Sequence, residues 1–150
     1  MSAFRRELDA AAPAMVAPGG GIEVWFTEPL GIYTKLRVTH FSTTESSFLA
    51  GEVTNRLRAL GPPPYVFVHD WSGLLTYDSK ARVAMTNWGF TLRKKMRCVR
   101  IFPGVDVPSL VRMGLTVGCS ALTVAGYDVA PTADLGKTTR ELGLRLRRAP

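Results

Sequence analysis

The sequence has little of what chemical sites are usually built from. Its 150 residues include two histidines, His40 and His69, and two cysteines, Cys98 and Cys119. Their spacing fits no zinc pattern and two cysteines make no disulfide framework, so no metal site is expected and no cofactor is implied. Both cysteines lie in apolar runs, which suits buried reduced thiols and a cytoplasmic protein. There is no phosphate cradle: Gly19 to Gly21 precedes a strand signal instead of following one, and Gly114 to Gly126 lies inside or after a helix. There is no Gly-x-Ser-x-Gly elbow. Long apolar runs are missing too. The window from Leu110 to Val124 contains Arg112 and is too short to span a bilayer, and Arg5 and Arg6 have no apolar region behind them, so neither a signal peptide nor a transmembrane segment is expected. Acidic residues are the scarce charge, 12 against 19 Lys and Arg, a net +7. That excess suits nucleic acid, anionic lipid or an acidic protein without choosing among them.

What is present is an ordinary core. Hydrophobic residues are 46% of the chain and charged residues 21%, a balance that folds as one domain. Residues 1–21, rich in Ala, Pro and Gly, read as a flexible arm outside the core, and residues 22–150 as the domain. Ile22 to Phe26 and Ile32 to Val38 alternate around a Glu28-Pro29-Leu30-Gly31 turn and read as a β-hairpin. Ser42 with Glu45 forms a capping-box word, and Leu49, Val53, Leu57 and Leu60 give one helical face. Gly61 and three prolines stop it. Tyr65 to Asp70 is an apolar run suited to a central strand. Asp78 or Ser79 caps the next helix, whose stripe is Ala81, Met85, Trp88 and Leu92. Cys98 to Phe102 is a strand. Ser109 to about Leu122 is a helix apolar most of the way round, hence expected to be well buried, with Gly114 and Gly118 allowing close approach of another backbone. Tyr127 to Val129 is a last strand. A final helix opens near Pro131 and is expected to carry Leu135, Leu142 and Leu146 on one face, with Arg145, Arg147 and Arg148 near its end. The order β-β-α-β-α-β-α-β-α implies an α/β sandwich with a mixed sheet, an antiparallel hairpin followed by parallel crossovers.

That order, with the words Val68-His69-Asp70-Trp71-Ser72-Gly73-Leu74 and Thr76-Tyr77-Asp78-Ser79, resembles STAS domains, the fold of SpoIIAA-like bacterial anti-sigma-factor antagonists. The resemblance covers about residues 22 to 147. It implies a non-enzymatic regulatory or scaffolding module that binds another protein, such as a kinase or sigma-factor regulator. In phosphoswitched members an Asp-Ser-Ser/Thr-Gly word starts the helix, and its second hydroxyl residue is phosphorylated. Here Asp78 and Ser79 match the first two positions, Lys80 stands in the acceptor's place and Ala81 replaces the glycine. Ser79, one residue displaced, is the candidate phosphosite. The expected partner surface is Asp70, Trp71, Ser72, Thr76, Asp78, Ser79, Lys80 and Arg82, because a helix N-terminus receives anionic groups and an exposed Trp71 would anchor an interface.

Three other readings stand beside it. The related SpoIIAA-like/CRAL-TRIO group suggests, by analogy, small-ligand or lipid binding, which needs an apolar pocket, for instance between the hairpin and the Leu110 to Leu122 helix. The cluster Arg93, Lys94, Lys95, Arg97 and Arg100 suits nucleic acid less than a solvated helix end, since base-stacking aromatics are not interleaved with it. A Ser-His-Asp triad from His69, Asp70 and Ser72 or Ser79 is disfavoured, because neighbouring strand residues point to opposite faces. The hairpin's free edge leaves a homo-oligomer open.

Overall fold

A computed structural model describes residues 2–148. Met1 of the expected arm and residues 149 and 150 of the expected domain lie outside the described residues. Fifteen α and β elements follow one another. They are α1 (Ala3–Ala10), β1 (Met15–Val16), β2 (Ile22–Glu28), β3 (Gly31–Leu36), β4 (His40–Phe41), α2 (Thr43–Phe48), α3 (Thr54–Leu60), β5 (Tyr65–Asp70), β6 (Thr76–Tyr77), α4 (Ser79–Thr91), β7 (Met96–Phe102), α5 (Ser109–Val124), β8 (Val129–Pro131), α6 (Leu135–Glu141) and β9 (Arg145–Leu146).

The expected order is the backbone of this series. β2 and β3 pair antiparallel from Ile22 opposite Leu36 to Thr27 opposite Gly31. β3, β5, β7 and β8 then run parallel to one another. The seven-stranded sheet is ordered β1-β2-β3-β5-β7-β8, with β9 also on β2. Gly31 shows why the central pairing needs that residue. A Cβ there would lie 1.7 Å from the Val66 carbonyl oxygen.

Alternation along β5 divides the interior. Tyr65 and Phe67 face a core built with α2, α3, α4 and part of α5, while Val66 and Val68 face a second core with α1 and α6. The capping box forms as read, with Ser42 and Glu45 covering each other's backbone N–H groups. A π turn at Leu49–Val53 links α2 to α3. It lets Thr54 Oγ1 donate to Leu49 O at 2.7 Å and accept from Trp88 Nε1 at 2.9 Å, joining two helices through buried polar groups.

Several expectations are corrected. The N-terminal segment is not outside the core. Ser2 caps α1, β1 joins the sheet, and Phe4 packs edge-on against Tyr33 at 5.2 Å in the second core. Its prolines and glycines punctuate the segment without unfolding it, because α1 has an apolar side to bury. The last helix is short. Gly143 takes a left-handed φ of 63° after it, and Arg145 and Leu146 form a strand antiparallel to β2. α5 is not well buried. Val111 and Cys119 are its buried residues, and Leu110, Met113, Val117 and Val124 are exposed. Only one side of it meets α4 and β8, so an all-round apolar sequence is left with an open face.

Candidate functional site

The strand β5 ends at His69 and Asp70, which point to opposite faces, as the alternation requires. Trp71 and Gly73 then make a tight turn. Leu74 N–H donates to Trp71 O, and Gly73 has a φ of 91°, the left-handed conformation that such a turn needs. This geometry splits the expected partner surface into three parts.

The first part is interior. Trp71 is buried, tilted against His69 and Phe41 at 5.0 and 4.9 Å, and its Nε1–H donates to Thr34 Oγ1 at 3.3 Å. It is a core residue and not an exposed anchor, because an indole with its N–H satisfied gains more from burial than from solvent. Asp70 is buried on the opposite face and accepts from Ser72 N–H and Ser72 Oγ, which shapes the loop. Burial, and then the Asp70 carboxylate, push the Tyr33 hydroxyl well above its ordinary pKa. Asp70 and Ser72 are therefore committed to the fold.

The second part is a small parallel pairing of β4 with β6. His40 Nδ1 lies 2.6 Å from Thr76 Oγ1, and His40 Nε2 lies 3.0 Å from Asp78 Oδ1. Asp78 sits at the N-cap of α4, yet its side chain makes no cap hydrogen bond. Asp78 thus holds the N-cap position expected of it, but the expected side-chain cap bond is absent, with the carboxylate turned to the imidazole instead. Ser79, Lys80 and Arg82 form the third part, exposed on the first turn of α4. Of the eight expected residues, these three stay open on that turn.

The basic cluster is divided as well. α4 stops at Thr91, so Arg93, Lys94 and Lys95 occupy a turn and Arg97 and Arg100 lie on β7. Arg100 Nη1 meets Asp128 Oδ1 at 2.8 Å and donates to the Val99 and Asp128 carbonyls. It ties β7 to the approach to β8 and is not part of an open cationic surface.

An apolar cavity of about 110 Å³ lies against the Leu110 to Leu122 helix, as the small-ligand reading needs, but its other wall is not the hairpin. It lies between the sheet face of Phe67, His69, Val99 and Ile101 and the helices α4 and α5. Phe67 stacks on Trp88 with centroids 5.1 Å apart, forming one wall. Gly114 and Gly118 lie on the facing wall. The close approach expected at Gly114 is to a side chain and not to a backbone, since a Cβ there would fall 2.2 Å from the Tyr77 hydroxyl. At Gly118 the nearest atom is Thr86 Oγ1 at 3.9 Å, so that wall has room.

Few polar groups reach the cavity, chiefly from His69, Tyr77, Arg82 and Thr86. His69 Nδ1 lies 2.7 Å from Thr34 Oγ1. Among the described residues Nε2 has no hydrogen-bond partner. Burial lowers the pKa of His69 to about 3, so the ring is neutral at pH 7. A neutral imidazole with one nitrogen engaged offers a single donor or acceptor to an occupant. The signal for this site was in the sequence as Gly114 and Gly118 facing the α4 stripe, but glycine spacing alone does not separate close packing from a void.

Among the described residues no three His, Cys, Asp or Glu side chains gather as a metal site, and no helix is long and apolar enough to cross a membrane.

No protein-family model matches the sequence, and no curated protein matches it. Among solved structures the chain is similar to a DUF3478-family protein with a SpoIIAA-like fold from Shewanella loihica PV-4. The TM-score is 0.59 at 15% identity, covering 88% of this chain and 99% of that one. The likeness is one of fold: a SpoIIAA-like α/β sandwich with an opening hairpin, as the order of elements implies.

Proposed function

We propose that this SpoIIAA-like fold serves as a non-enzymatic binding domain whose cavity takes a small apolar molecule carrying one hydrogen-bonding group. The cavity beneath α4 and α5 carries the reading. Binding sites for small molecules are mostly apolar, with a few placed polar groups that orient the ligand. Here the walls are Phe67, Trp88, Val99, Ile101, Leu115 and Leu122, and His69 supplies the orienting nitrogen. A volume near 110 Å³ suits a ligand about the size of an aromatic ring, since cavities of roughly 150 Å³ hold benzene. Catalysis is not part of the reading. Among the described residues the hydrogen-bond partner of His69 is Thr34 Oγ1, with no carboxylate behind the ring and no nucleophile bonded to it, unlike an oriented base–nucleophile pair.

Native mass spectrometry of the purified chain, and thermal unfolding with a panel of substituted benzenes and short-chain acids, test this. A bound ligand at about 100 times its Kd adds roughly 2.7 kcal/mol to stability. Gly118→Leu places a side chain in the void and is expected to weaken binding at least about tenfold while keeping the fold, since leucine is a better helix former than glycine. Ligand-free spectra together with no shift from any member of the panel would remove the reading.

A second reading keeps the regulatory module that binds another protein, docked at the start of α4. The supporting observation is an N-terminus whose cap residue turns its carboxylate to His40, leaving backbone N–H groups beside exposed Ser79, Lys80 and Arg82. An acidic partner, or phosphate on Ser79 itself, would suit that end of the helix dipole. Reversing both charges, Lys80→Glu with Arg82→Glu, should abolish retention on immobilised acidic peptides. Unchanged retention would dismiss it.

A further inference from the structure

The outer side of α5 is the least explained surface of the molecule. Leu110, Met113, Val117 and Val124 are 76%, 59%, 55% and 90% exposed, and Ala121 is exposed with them. Their spacings of three, four, four and three residues place all five within one narrow stripe along the helix, opposite the side that walls the cavity. Val83 and Phe90 on the adjoining α4 are exposed as well and widen the face. Apolar stripes of this kind mark interaction surfaces.

The character of the stripe selects its occupant. α5 contains no acid and one base, Arg112, whose guanidinium donates to Val105 O beside its own helix start. A strongly charged partner finds no opposite charge on it. An anionic membrane would require cations along the stripe, and none of its five positions is basic, Arg112 lying outside them and Lys80 and Arg82 at the far start of α4. The stripe is instead complementary to itself. Its positions are palindromic about Val117, with Met113 and Ala121 four residues to either side and Leu110 and Val124 seven. Two such helices laid antiparallel about a two-fold axis bring Val117 against Val117, large Met113 against small Ala121, and Leu110 against Val124. That is the condition for an isologous contact. The two Arg112 side chains then lie roughly 15 Å apart along the axis, which spares them repulsion. A stable dimer hides about 800 Å² on each partner. A helix of 16 residues, roughly 24 Å long, approaches that area once α4 contributes Val83 and Phe90.

We propose that α5 pairs antiparallel with α5 of a second copy of this chain, with the two-fold axis at Val117. The pairing buries the stripe and leaves the inner side of α5 to the cavity.

Sedimentation velocity on the full chain tests it, with charge variants placed on the axis. The parent protein is expected to sediment as a dimer. Val117→Lys and Val117→Asp each set like charges face to face and should weaken the dimer at least about 100-fold, because like-charge juxtaposition costs several kcal/mol. Val117 is exposed in the single chain, so both variants should keep the parent's circular dichroism. Mixing the two variants should restore a dimer containing one of each, a result that only contact across an axis at Val117 gives. A parent protein that stays monomeric at its highest soluble concentration overturns the proposal. So does a Val117→Lys dimer of undiminished strength, failure of the mixture to recover, or a monomer that co-sediments with vesicles of anionic phospholipid.

Discussion

Truncating Phe67 to alanine should cost about 3–5 kcal/mol of folding stability, the usual loss when a large aromatic leaves a packed core. The ring is 2% exposed, lies on the central strand and stacks on Trp88, which is itself fixed through its Nε1 to Thr54. Its loss removes apolar burial and a stacked pair, and it enlarges a void that already exists, so little collapse can compensate. A domain of this size has about 5–15 kcal/mol in hand, so the variant should remain folded in the cold with a sharply lower urea midpoint. The same substitution should change what binds. With one wall removed, the cavity should accept a ligand larger by about one ring, and that ligand should return part of the lost stability. Phe67→Leu separates the two effects, since it keeps most of the volume. A Phe67→Ala loss under about 1.5 kcal/mol, the range of volume-conserving swaps, would mean that this face is not the packed core described here.

Acidification should destabilise the protein through His69. The unfolded imidazole titrates near 6.5, and the folded one is held down to about 3 by burial. Between those values the unfolded chain takes up a proton that the folded chain refuses. Stability attached to this group is therefore complete above pH 6.5 and falls progressively as the pH drops toward 3. The slope is roughly 1.4 kcal/mol per pH unit for one proton. Carboxylates begin to titrate lower in the range, so the window from about pH 5 to 6.5 belongs to histidine. Of the two histidines His69 is the buried one, and it is the group expected to set the slope. Replacing His69 with glutamine should flatten the dependence of the urea midpoint on pH in that window. A slope unaltered by His69→Gln would show that the ring is hydrated and protonated in the folded protein.

The sequence was legible wherever local pattern and tertiary role coincide. The hairpin, the capping box at Ser42, the central strand and the stripe of α4 were all readable, because alternation, capping and helical period depend on near neighbours. What failed depended on distant partners. Trp71 looks like an anchor on a loop until Thr34 and Phe41, far away in sequence, are seen to enclose it. Asp78 stands at the N-cap as read, but its carboxylate makes no cap bond and lies 3.0 Å from His40, which β4 brings to it. The first turn of the chain looks disposable until Tyr33 receives Phe4. The apolar helix α5 looks buried, since hydrophobicity alone cannot state how many neighbours a helix has. The cavity was half legible: the Leu110 to Leu122 helix was named as one wall, but the hairpin was named as the other, where α4 and the β5 and β7 face stand.

The two cysteines have a use that follows from where they sit. Cys98 belongs to the core closed by α1 and α6, and Cys119 lies on α5 at the cavity wall. Both are buried as free thiols, and burial raises both above their ordinary pKa, which suppresses the reactive thiolate. Each thiol is thus silent until its own layer opens. Labelling with an aromatic disulfide reads the two layers as separate clocks, Cys98 for release of the terminal helices and Cys119 for displacement of α5. A ligand in the cavity slows the second clock, and a chain lacking α1 with its Phe4 speeds the first, so the molecule carries built-in reporters for its two faces.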